Sequence, residues 1–389
     1  MRRRVLYIPG YDPIPPRRYR ELFKREGAKQ AQFSGYKLKT GARIDRTGFG
    51  WGATTDTDGT RAEAEFEVLV WSDIVAGSMG QSIPATYGQL LRTAWAYIGS
   101  GALWRLMRLR RGPVLAALYP VLVLLVQALA AGLAGWLLGW LVSLMATWWV
   151  GLPVALAVFV LGLRQWRKLD GKIFAYYLMH DYAFTAQNGG AYPPALQDRI
   201  DAFAERIATV SAGDWDEVLV IGHSSGAYIA VSALAKLART GRLAPKIALL
   251  TLGHVVPMAS FLPRADQLRR DLHDLAKAGP VWIDVTAPGD ACSFGLCDPV
   301  AVSRCVPEGG GGPLVVSAAF TRTLSPARQK ELRGRWFRLH FQYLCAFDQP
   351  GIYDYFQITT GPQPLAERFA SRSHSPARIA RPVNRWHYP

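Results

Sequence analysis

The chain has 389 residues, half of them apolar, with 45 Lys and Arg against 29 Asp and Glu and a formal charge of +16. That length suits one large α/β domain with insertions, and the basic surplus suits an anionic membrane surface or nucleic acid. No nucleic-acid module is recognisable, so nucleic acid is not an expected partner, and Met1-Arg2-Arg3-Arg4 runs at once into Val5-Leu6-Tyr7-Ile8, too short an apolar core for an export signal.

Residues 5–8 read as a short strand ending in Pro9-Gly10-Tyr11-Asp12, and 13–24 as a proline-rich loop leading into a helix. Residues 43–73 read as extended structure with a turn at Asp56-Thr57-Asp58-Gly59, and 66–71 is the best strand within it. An interfacial stretch follows over 83–111.

Between 112 and 163 there is no Asp, Glu, Lys, Arg or His, and Gln127 is almost the only strongly polar side chain. A bilayer core of ~30 Å takes ~20 helical residues, so this run is long enough for two crossings. Gly132, Gly135 and Gly139 cluster in its middle and mark the expected turn. The two helices would then cover about 113–131 and 140–163, with a kink at Pro153. Arg105, Arg108, Arg110 and Arg111 precede the run, Arg164, Arg167 and Lys168 follow it, and the expected turn has no basic residue. Positive charge stays on the cytoplasmic side, so both ends are expected there, with Trp136 and Trp140 at the far interface. This describes a multi-pass protein of the cytoplasmic (inner) membrane, with the bilayer and its anionic lipids as partners. A re-entrant hairpin that does not cross fits the same residues.

Beyond the hairpin, 174–184 and Asn188-Gly189-Gly190 read as a connecting region, and 194–210 has helical spacing. The apolar run Val218-Leu219-Val220-Ile221 leads into Gly222-His223-Ser224-Ser225-Gly226, and a helix-forming run starts at Ala227. This is Gly-x-Ser-x-Gly in a strand–turn–helix setting. So tight a turn leaves no room for side chains at its two ends. It would hold the Ser224 hydroxyl above the sheet, at a helix N-terminus that favours negative charge. Ser224 is therefore a candidate nucleophile towards an acyl carbon. Further strands are expected at 247–252, before Gly253-His254, at 281–285 and at 314–317. Strands alternating with helices predict an α/β fold with a mainly parallel sheet covered on both faces. The Arg-, Ser- and Pro-rich stretch 371–389 is expected to lie flat on the surface or to be disordered. Cys292, Cys297, Cys305 and Cys345 match no common zinc spacing, so no metal, no cofactor and no required disulfide are expected.

Through these residues the chain resembles the α/β-hydrolase superfamily, on its lipase and esterase side. The resemblance covers roughly residues 4–350 without the hairpin; its specific motif is 222–226, and the rest is order and spacing. In that superfamily the nucleophile is followed along the chain by Asp or Glu and then by His. The resemblance therefore implies a base among the later histidines. His340 follows all the core strands among apolar and aromatic neighbours and is the first choice. His374 and His387 lie in the tail, and His273 lies in a charged helix. His254 precedes the expected acid and is assigned with Gly10 and His223 to substrate binding. Asp290, in the turn beyond the strand 281–286, is the first choice of acid, because a carboxylate at the carboxyl end of a parallel strand faces the active side. Asp298 is the second choice, and Asp284 within the strand is expected to pack or cap. An oxyanion hole would use the Ser225 N–H by analogy and the Tyr11 N–H from Pro9-Gly10-Tyr11. Pro9 stands there where the superfamily often has His before Gly.

The expected activity is that of a membrane-anchored serine hydrolase: Ser224 attacks, His340 shuttles the proton and Asp290 orients His340. The substrate would be a lipid ester or another acyl ester, cleaved through an acyl-enzyme. Two other outcomes fit the same residues: acyl transfer to an alcohol or amine, and a catalytically inactive membrane scaffold or sensor. The hydrolase-like domain would occupy 1–82 and 171–360, the interfacial segment and hairpin 83–170, where superfamily insertions often build a lid, and the basic tail 361–389.

Overall fold

Runs such as Val5-Leu6-Tyr7-Ile8 have no polar face, so a strand built from them needs cover on both sides. The computed structural model, which describes residues 1–43 and 49–388, provides that cover. Its strands are β1 (Arg2–Ile8), β2 (Lys37–Arg43), β3 (Gly50–Thr57), β4 (Thr60–Val68), β5 (Glu217–His223), β6 (Ile247–Leu252), β7 (Val281–Thr286) and β8 (Leu314–Ser317). They form one mixed sheet in the order β2-β3-β4-β1-β5-β6-β7-β8. The six strands from β4 to β8 in that order are parallel, and β3 and β2 extend one edge through antiparallel pairs. Successive side chains alternate between two cores: Val5 and Tyr7 enter one, Leu6 and Ile8 the other.

The helices, in chain order, begin with α1 (Arg17–Ser34), α2 (Ser72–Met79), α3 (Ile83–Gly99) and α4 (Ala102–Leu109). They continue with α5 (Arg111–Met145), α6 (Trp148–Lys168), α7 (Asp170–Ile173), α8 (Ala175–Ala186) and α9 (Pro194–Ser211). Then come α10 (Gly226–Arg239), α11 (Val256–Ser260) and α12 (Asp266–Ala278). Residues of α9, α10 and α12 fill one core, and those of α1 and the helix Tyr355–Thr360 fill the other. From β1 the chain passes to the sheet edge at β2, builds back inwards through β3 to β4 beside β1, then crosses to β5 on the other side of β1. That reversal opens a crevice at the carboxyl ends of β1 and β5, where ligands of open α/β sheets sit.

Several expectations need correction. The strand expected over 66–71 stops at Val68; Trp71 instead occupies the N-cap position before α2 and donates its indole N–H to the Pro9 carbonyl at 2.8 Å. The turn at Asp58-Gly59 joins β3 to β4, while residues 44–48 of the expected extended stretch lie outside the described residues. The connecting region 174–184 is helical (α8), and α8 packs against α3 and α5, so it belongs with the inserted helices. The tail is pinned: the Ile379 amide and carbonyl bond to Leu296 and Asp298, and buried Asn384 donates to the Ser260 carbonyl.

The largest correction concerns the hairpin. Its turn lies at Ala146-Thr147, not at the glycine cluster, and α5 runs unbroken for 35 residues, about 52 Å. Gly135 and Gly139 sit inside α5, where an added Cβ would lie 2.5 Å from the Ala155 carbonyl and 2.7 Å from that of Gly151. An added Cβ on Gly151 would lie 2.3 Å from the Gly139 carbonyl. These glycines let two helix backbones touch, which is the way small residues serve helix pairs in lipid. α5 and α6 are both long and apolar enough to cross a membrane. The first turns of α5 pack on the rest of the molecule through Pro113, Val114, Pro120 and Leu124; most of the later large side chains are bare.

Candidate functional site

β5 enters the pentapeptide with every residue buried. At its end Ser224 adopts φ +56°, a left-handed conformation that costs a non-glycine residue free energy and persists only where the surroundings impose it. The flanking glycines are obligatory. A Cβ on Gly222 would lie 2.6 Å from Cα of Ala227, and one on Gly226 would lie 2.2 Å from the Ile8 carbonyl. Gly10, at the end of β1, is pressed against the serine: its added Cβ would meet Ser224 Cβ at 2.9 Å and Oγ at 3.4 Å. The chain from β1 and the turn after β5 thus meet around one hydroxyl.

Ser224 lines a cavity of about 750 Å³, mouth included, together with Gly10, Tyr11, His223, Ser225 and His340. Asp290 stands behind His340, its Oδ2 accepting from His340 Nδ1 at 2.8 Å. Three further groups hold that carboxylate: the Tyr343 hydroxyl donates to Oδ2 at 3.1 Å, the Cys292 amide donates to Oδ1 at 2.9 Å, and Ser293 also bonds to it. Burial by itself would raise the Asp290 pKa, but His340 and these donors outweigh it and lower the pKa below the usual range. With Nδ1 donated to Asp290, His340 Nε2 is left as the acceptor nitrogen. It is buried and has no hydrogen-bond partner among the described residues. No hydrogen bond joins it to Ser224, though both line the same cavity. Gly253, at φ +53°, makes room for the imidazole, since a Cβ there would lie 3.2 Å from His340 Cε1.

His223 lines the cavity and also braces His340, donating Nε2–H to the His340 carbonyl at 3.1 Å. Burial, reinforced by His340, lowers its pKa to about 3, so it stays neutral. Tyr11 and Ser225 both border the cavity, and neither backbone amide donates to a protein acceptor among the described residues. The Tyr11 loop is held by the Tyr177 hydroxyl, which donates to the Tyr11 carbonyl at 2.5 Å, and by a hydrogen bond between the Tyr11 and Ser78 hydroxyls.

Two sequence assignments sit elsewhere. His254 is wholly buried outside the cavity wall, with Nε2 donated to the Cys297 carbonyl at 2.9 Å, so nothing brings it to a substrate there. Asp298 caps the helix Pro299–Val302, accepting from the Val300 and Ala301 amides at 2.9 Å each, and pairs with Arg378. Asp284 accepts from the Thr251 hydroxyl at 2.6 Å inside the sheet, where burial raises its pKa to about 6. His374 accepts from the Val315 amide and His273 stacks on Tyr388, both away from the cavity.

Sequence reasoning missed three participants. Tyr343 clamps Asp290 while accepting the Ala287 amide. Tyr177 and Asp181 reach the cavity from α8. Burial raises the Asp181 pKa to about 7, against an opposing pull from His340. The only available signal was the run Ala175-Tyr176-Tyr177-Leu178-Met179-His180-Asp181, too apolar for a linker. Cys292 also lines the cavity, but burial, Asp290 and Asp181 push its thiol pKa well up, away from the thiolate form. The four cysteines are free, and no cluster among the described residues could hold a metal ion.

Comparisons with family models, with curated proteins and with solved structures returned no match to this chain.

Proposed function

We propose that this chain is a membrane-anchored serine hydrolase of the α/β-hydrolase kind, acting on lipid or other acyl esters. One observation carries the proposal: Ser224 is held at φ +56° in a strand–turn–helix, sharing a cavity with an imidazole whose other nitrogen is bound to a buried carboxylate. A serine hydroxyl needs a base to become a nucleophile. His340 Nε2 takes the Ser224 proton as Oγ attacks the ester carbonyl, and Asp290 keeps the imidazole in the right tautomer and stabilises the imidazolium. The Tyr11 and Ser225 amides, which donate to no acceptor among the described residues, bind the oxygen that becomes negative. The imidazolium then gives its proton to the departing alcohol, leaving an acyl-enzyme that water, activated by the same His340, hydrolyses.

The hairpin anchors this site. Its uncharged run and basic flanks support a cytoplasmic-membrane location with the sheet domain in the cytoplasm. The Pro113 end of α5 lines the nucleophile cavity, so the anchor and the site are one construction. The test is labelling of the full chain in nanodiscs by a fluorophosphonate, followed by turnover of a soluble ester. The proposal expects labelling that Ser224→Ala abolishes. An unlabelled, folded chain would favour a scaffold, and products formed only with an added alcohol or amine would favour acyl transfer.

A further inference from the structure

A second cavity lies beside the first. It occupies about 570 Å³, mouth included, among α3, α4, α5 and α8, and its wall is almost wholly apolar. Among the described residues Thr93, Tyr97 and Tyr182 carry its only side-chain oxygens, and the Tyr97 hydroxyl is already donated to the Met258 carbonyl at 3.0 Å. At its inner end Tyr182 and Met258 are shared with the nucleophile cavity, and Val114 is the chain neighbour of Pro113, which lines that cavity. At its outer end the wall includes Ile98 and Leu118, 52% and 39% exposed.

The surface around that outer end is unusual for a protein in water. Leu91, Trp95 and Ile98 form a bare stripe at helical spacing on α3, and Leu115, Leu118 and Leu122 form another on α5. These stripes carry the apolar surface of the hairpin down to the mouth of the chamber. An apolar face of this extent marks contact with something apolar, and its continuity with helices long enough to span a bilayer favours lipid as that contact.

We propose that this chamber holds the fatty acyl chain of the substrate, which slides in sideways from the bilayer between α3 and α5 while its carbonyl reaches Ser224 past Tyr182 and Met258. The proposal rests on the hydrolase reading above and narrows its substrate to esters of medium- or long-chain acids. The chamber has almost no group to hydrogen-bond a polar headgroup, whose burial there would be costly. A methylene chain loses nothing there and gains from leaving water.

The experiment uses the full chain in nanodiscs with p-nitrophenyl esters from acetate to dodecanoate. Burial of each methylene predicts a rise in kcat/KM of about threefold to fourfold per CH₂ until the chamber is full. Ala117→Trp, inside the chamber, and Ile98→Trp, at its mouth, are expected to cut dodecanoate turnover at least tenfold and to leave acetate turnover unchanged. Acetate turnover doubles as the control for folding; should Ala117→Trp lose it, the exposed Ile98 position carries the test. Acetate hydrolysis with no preference for longer chains, or long-chain turnover untouched in both variants, overturns the acyl site alone. A chain inert towards every ester overturns the hydrolase reading and the acyl site with it.

Discussion

The turn after β5 and the α5–α6 hairpin are both built from apolar residues and glycine, yet they use them in opposite ways. Around Ser224 the apolar side chains point inward to two cores, and Gly10, Gly222 and Gly226 let backbone crowd around one hydroxyl. In the hairpin the glycines let two helices touch, while Leu122, Leu129, Trp136, Leu144 and Trp149 stay bare. The first region satisfies its own hydrophobic surface and concentrates strain at a polar atom. The second leaves its surface unsatisfied, and in the proposed membrane setting lipid covers it. Composition is shared; what differs is where the apolar surface ends up.

The contrast can be broken by altering either region. Ser224→Ala and His340→Ala should each lower turnover of a soluble ester by about 10³-fold or more without unfolding the chain; most activity surviving in either would remove that residue from the mechanism. Asp290→Asn should lower kcat by about 10²–10⁴-fold, because the imidazole loses the partner that selects its tautomer. Asp298→Asn should instead leave turnover within a few-fold and lower stability by about 1 kcal/mol, read as a fall in Tm, through loss of the ion pair with Arg378, since Asn caps a helix as well as Asp does. The opposite pattern would transfer the acid's role to Asp298.

In the hairpin, Gly151→Leu should push the two helices apart and open the turn to limited proteolysis, while acetate turnover stays within about twofold of wild type. No added cleavage would mean that the close helix contact is not what holds the hairpin.

The smallest effect concerns Asp181, whose pKa burial raises to about 7, against about 3.9 in an unfolded chain. Between those values the folded chain keeps a proton that the unfolded chain has lost. The stability from this group is therefore full below about pH 4 and lost as pH rises through 7. Asp181→Asn should raise Tm by a few degrees at pH 8 and scarcely at pH 4, and a gain equal at both would exclude the carboxyl as its source.

The legible parts of this chain were those written locally. Strands such as β5 and β6 are contiguous apolar runs, and the pentapeptide carries its own steric logic, so its position relative to strand and helix followed directly. The hairpin's existence followed from missing charge. Its turn did not, because Gly132, Gly135 and Gly139 look the same whether glycine ends a helix or lets another helix approach. α8 was read as a connector because it is buried from several sides and shows no clean amphipathic period. Neither Asp290 nor Asp298 carries a local mark of its task; one meets an imidazole 50 residues away and the other two amides of its own helix.

By itself the sequence determined an α/β order of strands, a serine at the tip of a glycine-bounded turn, and a pair of apolar segments that water would not solvate. These depend on steric and hydrophobic rules that act between near neighbours. Only the tertiary structure decided that His340 rather than His254 shares a cavity with Ser224, that Asp290 holds it, and that α5 borders both that cavity and an apolar chamber. Those outcomes depend on where distant segments cross at the end of the sheet, and no local pattern encodes a meeting between residues so far apart along the chain.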